Sequence, residues 1–386
     1  MAANKYPSLY DLEGWLYEQN KKDFPSYNEE NQKSFPDRYK DLKTGLGALH
    51  DQVERGATIR SFLDGKDELI KLFKELSDNG NKSINVNETI ELLENWEPLI
   101  YLNQHGKGHV AKVIEKAAMI LNNFKSARDM LSPFETFILL CAIQIHDIGN
   151  INGRKDHETS FNKKFREKAS AAGIVESATL KTIFRIARVH SGSILGNKDT
   201  ISQGQLTPKQ DLLNFPIRLQ LLAALLRFAD ELADDSTRAI EYDDMPEESR
   251  IFHAYSRALH TVTIQKNDIT NTYFVKLCYE LSSEDALRVY VKGEKRVPFI
   301  QEVFDRSKKM EQERRYCIRY LNQYIPLTEV KVEIEISHPT DVTKELSFEY
   351  TLSERGYPLD DVVIDCVYND AATVRDGLIK KGMMDQ

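Results

Sequence analysis

Residues 141–150 read Cys-Ala-Ile-Gln-Ile-His-Asp-Ile-Gly-Asn, and the organisation of the chain follows from this stretch. The residues just before its polar end are almost all apolar, so we predict a helix buried on every side. Ser132-Pro133-Phe134-Glu135 has the form of a capping box with proline at the first helical position. Gly149 is placed to end that helix. The His146-Asp147 pair at its end needs a partner, either a basic side chain or a metal ion, because burying a lone charge is costly.

Length and composition indicate an ordinary globular protein. The chain has 386 residues, enough for two or three domains, with 41% hydrophobic and 29% charged residues. No apolar run has the length of a membrane span, and the first residues lack the apolar core of a signal peptide. The four cysteines form no CxxC pair, which argues against a thiolate zinc site and for a reducing compartment. We therefore expect a cytoplasmic protein with no membrane partner.

Three regions follow one another along the chain. Residues 1–95 are charged, with apolar positions at helical spacing, and residues 96–255 contain one apolar helical segment after another. Residues 256–386 mix alternating strands with amphipathic helices. The sequence therefore predicts a mainly α chain, in which a helical bundle is followed by a smaller α+β domain.

Several elements can be placed in advance. In the bundle we predict helices at 180–190 and 217–232, and a helix start at the capping-box candidate Thr207-Pro208-Lys209-Gln210. In the last region we predict helices at 297–324 and 371–381 and strands at 260–264, 273–279, 287–291, 329–336, 346–352 and 362–367. The strand at 329–336 has one face made only of Val and Ile, which the helix at 304–320 of the same chain could cover.

The histidines are distributed unevenly. Five of the nine lie between positions 105 and 190, and Asp230 closes a long apolar helix further on. Imidazole and carboxylate ligands without thiolate suit a divalent ion such as Mn, Mg, Fe, Ni or Zn. A carboxylate that bridges two ions lets them share the work of lowering the pKa of a water and neutralising phosphate oxygens. His50, His253, His260 and His338 stand in charged or strand contexts and are expected on the surface.

The ordered set His109, His146-Asp147 and Asp230, over roughly residues 95–240, resembles the HD-domain metal-dependent phosphohydrolases. The finer pattern of His-Asp-Ile-Gly-Asn, Gly-Arg-Lys-Asp-His-Glu and Arg-Phe-Ala-Asp-Glu-Leu is similar to the HD branch of bacterial antiviral and conflict systems. The Gly-His-Gly-Pro-Phe-type run of the best-known deoxynucleotide triphosphohydrolases is lacking after His146-Asp147. The Gly-Tyr-Pro signature of the cyclic-di-GMP phosphodiesterases is absent from the bundle after His190, so the substrate stays open.

The resemblance implies roles for particular residues. His109, His146, Asp147 and Asp230 would hold one metal ion, while His157 and His190 would hold a second ion with Asp147 as the bridge. Arg154 or Lys155 would face the phosphate, which makes Asp147, Arg154 and Lys155 the expected catalytic set.

Further residues are candidates for binding the substrate. His105 would share a helix face with His109 if that helix begins early, and we expect it beside the ligands or the substrate. Arg188 and Arg227 belong to an arginine-rich stretch near the ligands, and a guanidinium suits phosphate. For Arg227 the alternative is a salt bridge to an acid such as Glu231, Asp234 or Asp235. The basic helix at 304–320 is interrupted by acids, which favours a solvated face over a nucleic-acid groove.

Together these features predict an HD-family phosphohydrolase, a nucleotide triphosphohydrolase or phosphodiesterase acting through a metal-activated hydroxide. The expected substrate is a deoxynucleoside triphosphate (a dNTPase reaction) or a signalling nucleotide, with one or two ions, manganese among them, and a homo-oligomeric assembly. The acidic net charge of −8 places small nucleotides ahead of nucleic acid as partners. Two alternatives stay open: a nuclease on single-stranded DNA or RNA, and a catalytically silent nucleotide-sensing module.

Overall fold

The computed structural model describes residues 11–25, 33–59, 106–149, 162–192, 194, 196–235, 247–354 and 362–385. In the described part of the first 235 residues the regular structure is almost entirely helical. The helices are α1 Leu12–Tyr17, α2 Phe35–Ile59, α3 Lys107–Asn122, α4 Pro133–Ile145, α5 Asn162–Ala171, α6 Ser177–Arg188, α7 Thr200–Gln203 and α8 Leu219–Leu232. Two single 3₁₀ turns, Lys21–Asp23 and Ala127–Asp129, and a short hairpin complete this part.

The helix α4 is the centre of the bundle, as its sequence predicts. Residues 134–145 are all buried, and α4 packs against α1, α2, α3, α6 and α8. The predicted capping box is present: the Ser132 hydroxyl accepts from the Glu135 N–H at 3.1 Å, and the Glu135 carboxylate accepts from the Ser132 N–H at 2.9 Å. This reciprocal pair satisfies N–H groups that the first turn leaves without a helical acceptor.

Two predicted boundaries in the bundle are wrong. The helix α4 ends at Ile145 with His146 as its C-cap, before Gly149 is reached. Thr207-Pro208-Lys209-Gln210 starts no helix, because the chain there forms the hairpin of β1 Gln210–Leu212 and β2 Phe215–Ile217. Its two turn residues, Leu213 and Asn214, both have positive φ, as a tight hairpin turn requires. The helix α8 then starts at Leu219.

The remaining described residues build a sheet with helices. In chain order the elements are α9 Glu247–Ala258, β3 Leu259–Asn267, β4 Thr272–Ser282, α10 Ser283–Ala286, β5 Val289–Lys292, β6 Lys295–Pro298, α11 Phe299–Leu321, β7 Leu327–Ser337, β8 Glu345–Ser353 and α12 Ala371–Lys380. The four-stranded sheet has the order β3-β4-β7-β8, with β4 and β7 parallel and the other neighbours antiparallel. The strands β5 and β6 form a separate hairpin.

The helix α11 lies between the sheet and the bundle. Val330, Val332, Ile334 and Ile336 of β7 are buried, and α11 packs on β7 and β8. The same helix also packs against α8 of the bundle. The predicted cover of the Val/Ile face by this helix is therefore confirmed, and α11 joins the two parts of the chain.

The structure is mixed α/β, so a mainly α chain is confirmed only in part. The predicted strand at 362–367 is wrong, since Val362 and Ile364 are buried but residues 362–365 pair with no described strand. The alternating apolar residues of this segment reflect the burial of Val362 and Ile364, not the pairing of a strand. The predicted divisions at residues 95 and 255 stay predictions: the first lies outside the described residues, and α9 runs across the second.

Candidate metal centre

Three helices bring four predicted ligands together. His109 is buried in the first turn of α3, which begins after the N-cap Gly106. His146 is the C-cap of α4, with Asp147 next to it, and both are buried. Asp230 lies in the last turn of α8 with 24% of its side chain exposed. Because α4 and α8 end at the same place where α3 begins, their terminal side chains converge.

The four side chains point their ligand atoms at one another. The Nε2 atom of His109 lies 3.0 Å from Asp230 Oδ1, 3.4 Å from Asp147 Oδ2 and 3.4 Å from His146 Nε2. The Nε2 atom of His146 lies 3.3 Å from Asp147 Oδ2 and 3.6 Å from Asp230 Oδ1. One ligand atom from each of the four residues falls within 4.8 Å of the others.

These spacings fit a divalent ion. Ligands bound about 2.0–2.2 Å from a common ion lie roughly 3.0–3.5 Å apart, depending on the coordination geometry. Two neutral imidazoles and two carboxylates supply a net charge that a dication balances, and their nitrogen and oxygen donors suit Mn, Fe, Ni or Zn. The structure therefore contains a His-His-Asp-Asp cluster that could hold a metal ion, and the identity of the ion is open.

Backbone carbonyls orient two of the imidazoles. The Nδ1–H of His146 donates to the Ile143 carbonyl at 2.7 Å, and the Nδ1–H of His190 donates to the Ala187 carbonyl at 2.6 Å. Each bond fixes the tautomer that leaves Nε2 as a lone-pair donor. In both residues it is Nε2, the ring nitrogen not bonded to the carbonyl, that faces Asp147.

The charges in the cluster depend strongly on one another. Burial opposes the protonation of His146, but Asp147 and Asp230 outweigh this effect and raise the pKa of His146 well above its usual value. Burial likewise opposes ionisation of Asp230, yet hydrogen bonds from His109 and His146 hold the pKa of Asp230 well below its usual value. The cluster thus favours the ionised form of Asp230 and recruits positive charge, which a bound dication would supply.

His190 extends the cluster on the other side of Asp147. It follows the end of α6, is buried, and places Nε2 at 3.6 Å from Asp147 Oδ1. The other oxygen of Asp147, Oδ2, faces His109 and His146. The two carboxylate oxygens therefore point to two different sets of imidazoles, the arrangement that a bridging ligand needs.

The other predicted site residues are His105, Arg154, Lys155, His157, Arg188 and Arg227. His105, Arg154, Lys155 and His157 lie outside the described residues. Arg188 is exposed at the last residue of α6.

The contacts of Arg227 favour the salt-bridge alternative over substrate binding. Its Nε and Nη2 atoms donate to the two Glu313 oxygens at 2.7 and 2.8 Å, and Nη1 donates to Thr200 Oγ1 at 2.8 Å. The salt-bridge alternative is therefore present, with Glu313 in place of the acids expected from the sequence. A guanidinium with its donors engaged in this way is not available to a phosphate, so its contacts do not support substrate binding.

The sequence analysis did not consider Lys112, which lies on the same helix as His109. It also placed two buried histidines on the surface. Lys112 follows His109 by three residues and shares its helix face, and its ammonium lies 3.0 Å from Asp235 Oδ2. Burial lowers the pKa of Lys112, but Asp235 outweighs it, and the pKa is raised. The i, i+3 spacing from His109 was the available signal. His50 and His253 are buried, not on the surface as predicted.

Together, the helical bundle and its His-Asp cluster support one class of protein, a metal-dependent hydrolase with an HD-type domain. A model of the HD-CE family matches residues 90–292, just over half of the chain, and the chain belongs to that family. The matched range contains every described residue of the cluster. No curated protein and no solved structure matches the chain. Among the helices of the described residues, none has the length and apolar character needed to cross a membrane.

Proposed function

We propose that the protein hydrolyses a phosphoester or phosphoanhydride bond of a nucleotide, with a deoxynucleoside triphosphate or a signalling nucleotide as substrate. The observation that carries the proposal is the position of the Asp147 carboxylate. One of its oxygens faces His109 and His146, and the other faces His190. That arrangement is suited to two ions held a few ångströms apart, which is the usual geometry of metal-assisted phosphate hydrolysis.

The side chains of the cluster have distinct tasks in this proposal. His109, His146 and Asp230 would hold one ion, with Asp147 shared between it and a second ion. His190 would serve that second ion, together with His157 as the family resemblance implies. A divalent ion bound there supplies a water of lowered pKa and neutralises phosphate oxygens. Asp230 is the most exposed of the four clustered residues, so the substrate approaches on its side. The resemblance implies that Arg154 or Lys155, both outside the described residues, would stabilise the charge that develops on the phosphate.

The cellular role, the assembly and the ligand class are part of the same proposal. The resemblance to the HD branch of bacterial antiviral and conflict systems supports a defence role in the cytoplasm. A homo-oligomer with the nucleotide as its principal ligand is the expected assembly. The acidic net charge supports small nucleotides over polynucleotides.

One screen tests the activity directly. The manganese-loaded protein is incubated with nucleoside triphosphates, deoxynucleoside triphosphates, cyclic dinucleotides and single-stranded DNA, and the products are separated by chromatography. Asp147→Ala serves as the inactive variant and Asp376→Ala, on the exposed face of α12, as the matched control. We expect release of phosphate or of an opened nucleotide by the wild type and the control only.

The other outcomes of the screen decide between the alternatives. Cleavage of DNA alone would replace the nucleotide proposal with the nuclease. Bound metal without turnover of any substrate would replace it with the nucleotide-sensing module.

A further inference from the structure

The two sides of the candidate metal centre lie on segments that do not adjoin in sequence. Asp230 lies on α8, while His190 follows α6. Two ions that share one bridging carboxylate require a fixed spacing between their remaining ligands, since displacements of about half an ångström already degrade such a site. Some contact has to set the distance between α8 and the segment that carries His190.

A buried guanidinium makes that contact. Arg227 precedes Asp230 by three residues, so the two are neighbours on α8. Its Nη1 donates to the Thr200 hydroxyl at 2.8 Å, and that hydroxyl donates to the Val189 carbonyl at 2.6 Å. Val189 is the residue before His190. The chain of bonds therefore runs from the helix of one ligand to the residue next to the other, with Arg227 and Thr200 both buried.

The helix α11 fixes the guanidinium from the other side. Glu313 holds it through two bonds in a fork arrangement, and the Tyr316 ring lies 4.2 Å from its centre. The Tyr316 hydroxyl donates to Asp199 Oδ1 at 2.7 Å and accepts from the Ile201 N–H at 3.0 Å, so α11 also holds the N-terminal end of α7, where Thr200 lies. Burial opposes the charge of Arg227, but Glu313 outweighs this effect and raises the pKa of Arg227 above its usual value.

We propose that Arg227 is a positioning residue that sets the spacing between Asp230 and His190, with Glu313 of α11 holding its guanidinium in place. The proposal rests on the metal centre proposed above, although its test does not require turnover. Through these contacts the part of the chain after residue 255 acts on the metal centre, although none of its described residues belongs to the ligand cluster.

The test compares single variants at the two ends of the network. Glu313→Gln removes the charge that holds the guanidinium, and Thr200→Val removes the hydroxyl that joins it to Val189. The matched control is Lys309→Gln, which breaks the Lys309–Glu231 ion pair between the same two helices. Manganese binding is measured by calorimetry, and the unfolding temperature is measured without metal.

We expect two ions per wild-type chain, and a manganese affinity for the weaker ion that falls at least about tenfold in both network variants, as for lost outer-shell support in other metal sites. The control keeps the wild-type affinity, and the metal-free unfolding temperature falls further in Glu313→Gln than in Lys309→Gln, because Glu313→Gln leaves a buried guanidinium without its counter-charge. Wild-type affinities in both network variants, or a loss shared equally by Lys309→Gln, would overturn the proposal. A single ion in the wild type would overturn it as well.

A charge-swapped pair separates positioning from simple helix packing. Arg227→Glu combined with Glu313→Arg restores an ion pair between α8 and α11 but leaves no guanidinium next to Thr200. We expect this protein to recover stability and not the affinity of the weaker ion. Recovery of both would show that only the α8–α11 contact matters. Because these readouts use metal binding, they stand even if the substrate screen finds no turnover.

Discussion

Asp147 is the residue on which the metal centre depends most. Each of its oxygens faces different imidazoles, His109 and His146 through Oδ2 and His190 through Oδ1. Among the described residues, the other candidate histidine ligands each face only one of these two oxygens. If the proposed two ions bind there, loss of this carboxylate affects both positions at once, whereas loss of His190 affects one.

Asp147→Ala is expected to abolish turnover and most of the bound metal, because a shared ligand and its negative charge are removed together. Elemental analysis of the purified variant checks the result against Asp376→Ala. Full metal occupancy with unchanged turnover would show that the cluster is not the metal centre.

His190→Ala is expected to leave about one ion per chain, held by His109, His146 and Asp230, while turnover falls by more than the roughly 10–100-fold of lost outer-shell support. The same holds for His157→Ala, whose position lies outside the described residues. Metal stoichiometry and rate are measured together. If both variants keep the wild-type stoichiometry and rate, the centre holds a single ion and these histidines serve another role.

His50 makes a pH-dependent contribution to stability. It is buried in α2 and its Nε2–H donates to the Gln144 carbonyl at 2.9 Å, two residues before His146. Burial is the largest cause that lowers the pKa of His50 from 6.5 to about 4. Between these two values the unfolded chain binds a proton that the folded chain does not, so the free energy of unfolding decreases as the pH falls through this window.

His50→Gln keeps a donor for Gln144 and removes the titration. We expect the wild type to lose up to about 3 kcal/mol relative to this variant between pH 7 and pH 4, which is the pKa shift converted to free energy. Denaturant unfolding of both proteins at several pH values gives the difference. Parallel stability curves for the two proteins would contradict the expectation.

At the scale of elements, one carboxylate anchors two helices. Glu135 completes the capping box of α4 and also accepts from the backbone N–H of Arg218, the N-cap of α8, at 2.9 Å. The Arg218 side chain adds bonds of 2.9 and 2.7 Å to the same carboxylate. Burial opposes the charge of Arg218, but Glu135 outweighs it and raises the pKa of Arg218 above its usual value.

Glu135→Ala is expected to lower the free energy of unfolding by about 3 kcal/mol, because it leaves a largely buried guanidinium and two helix starts without their acceptor. Glu167→Ala, on the exposed face of α5, is the matched control and should lie within about 0.5 kcal/mol of the wild type. Denaturant unfolding measures both. A loss no larger than that of the control would show that other groups replace the carboxylate.

The elements that could be predicted are those whose signals are local. The capping box and continuous apolar run of α4 predicted its start and its burial, and the alternation of β7 predicted its covered face. The hairpin at 210–217 could not be predicted in this way, because its turn places Leu213 and Asn214 at positive φ without a glycine. The partner of Arg227 was also out of reach, since Glu313 lies 86 residues further on and only tertiary packing brings it close.

At the scale of the whole molecule, α11 belongs to the sheet and to the bundle at once. One side of it covers β7 and β8, and another packs along α8. Arg306 of the same helix pairs with Glu302 at 3.0 Å and lies 5.0 Å from the Tyr255 ring of α9. The part of the chain after residue 255 is therefore a cover for the helix that carries Asp230.

A chain truncated after residue 255 is expected to lose assembly or its response to added nucleotides, and its α8 would lose the packing of α11. Size-exclusion chromatography, unfolding temperature and bound manganese are compared with those of the full chain. A soluble, monomeric and fully active fragment with an unaltered nucleotide response would show that the C-terminal part neither regulates nor supports the centre.

The shared anchor at Glu135 has a consequence for comparing sequences. His146 stands eleven residues after Glu135, and Asp230 stands twelve residues after Arg218. Each helical residue turns the chain by about 100°. Inserting or deleting one residue in either interval therefore rotates His146 or Asp230 away from the other ligand. The connection between the two intervals is made of several separate elements, so its total length is not restricted in the same way. A search for distant relatives should therefore hold these two spacings constant and let the intervening length vary.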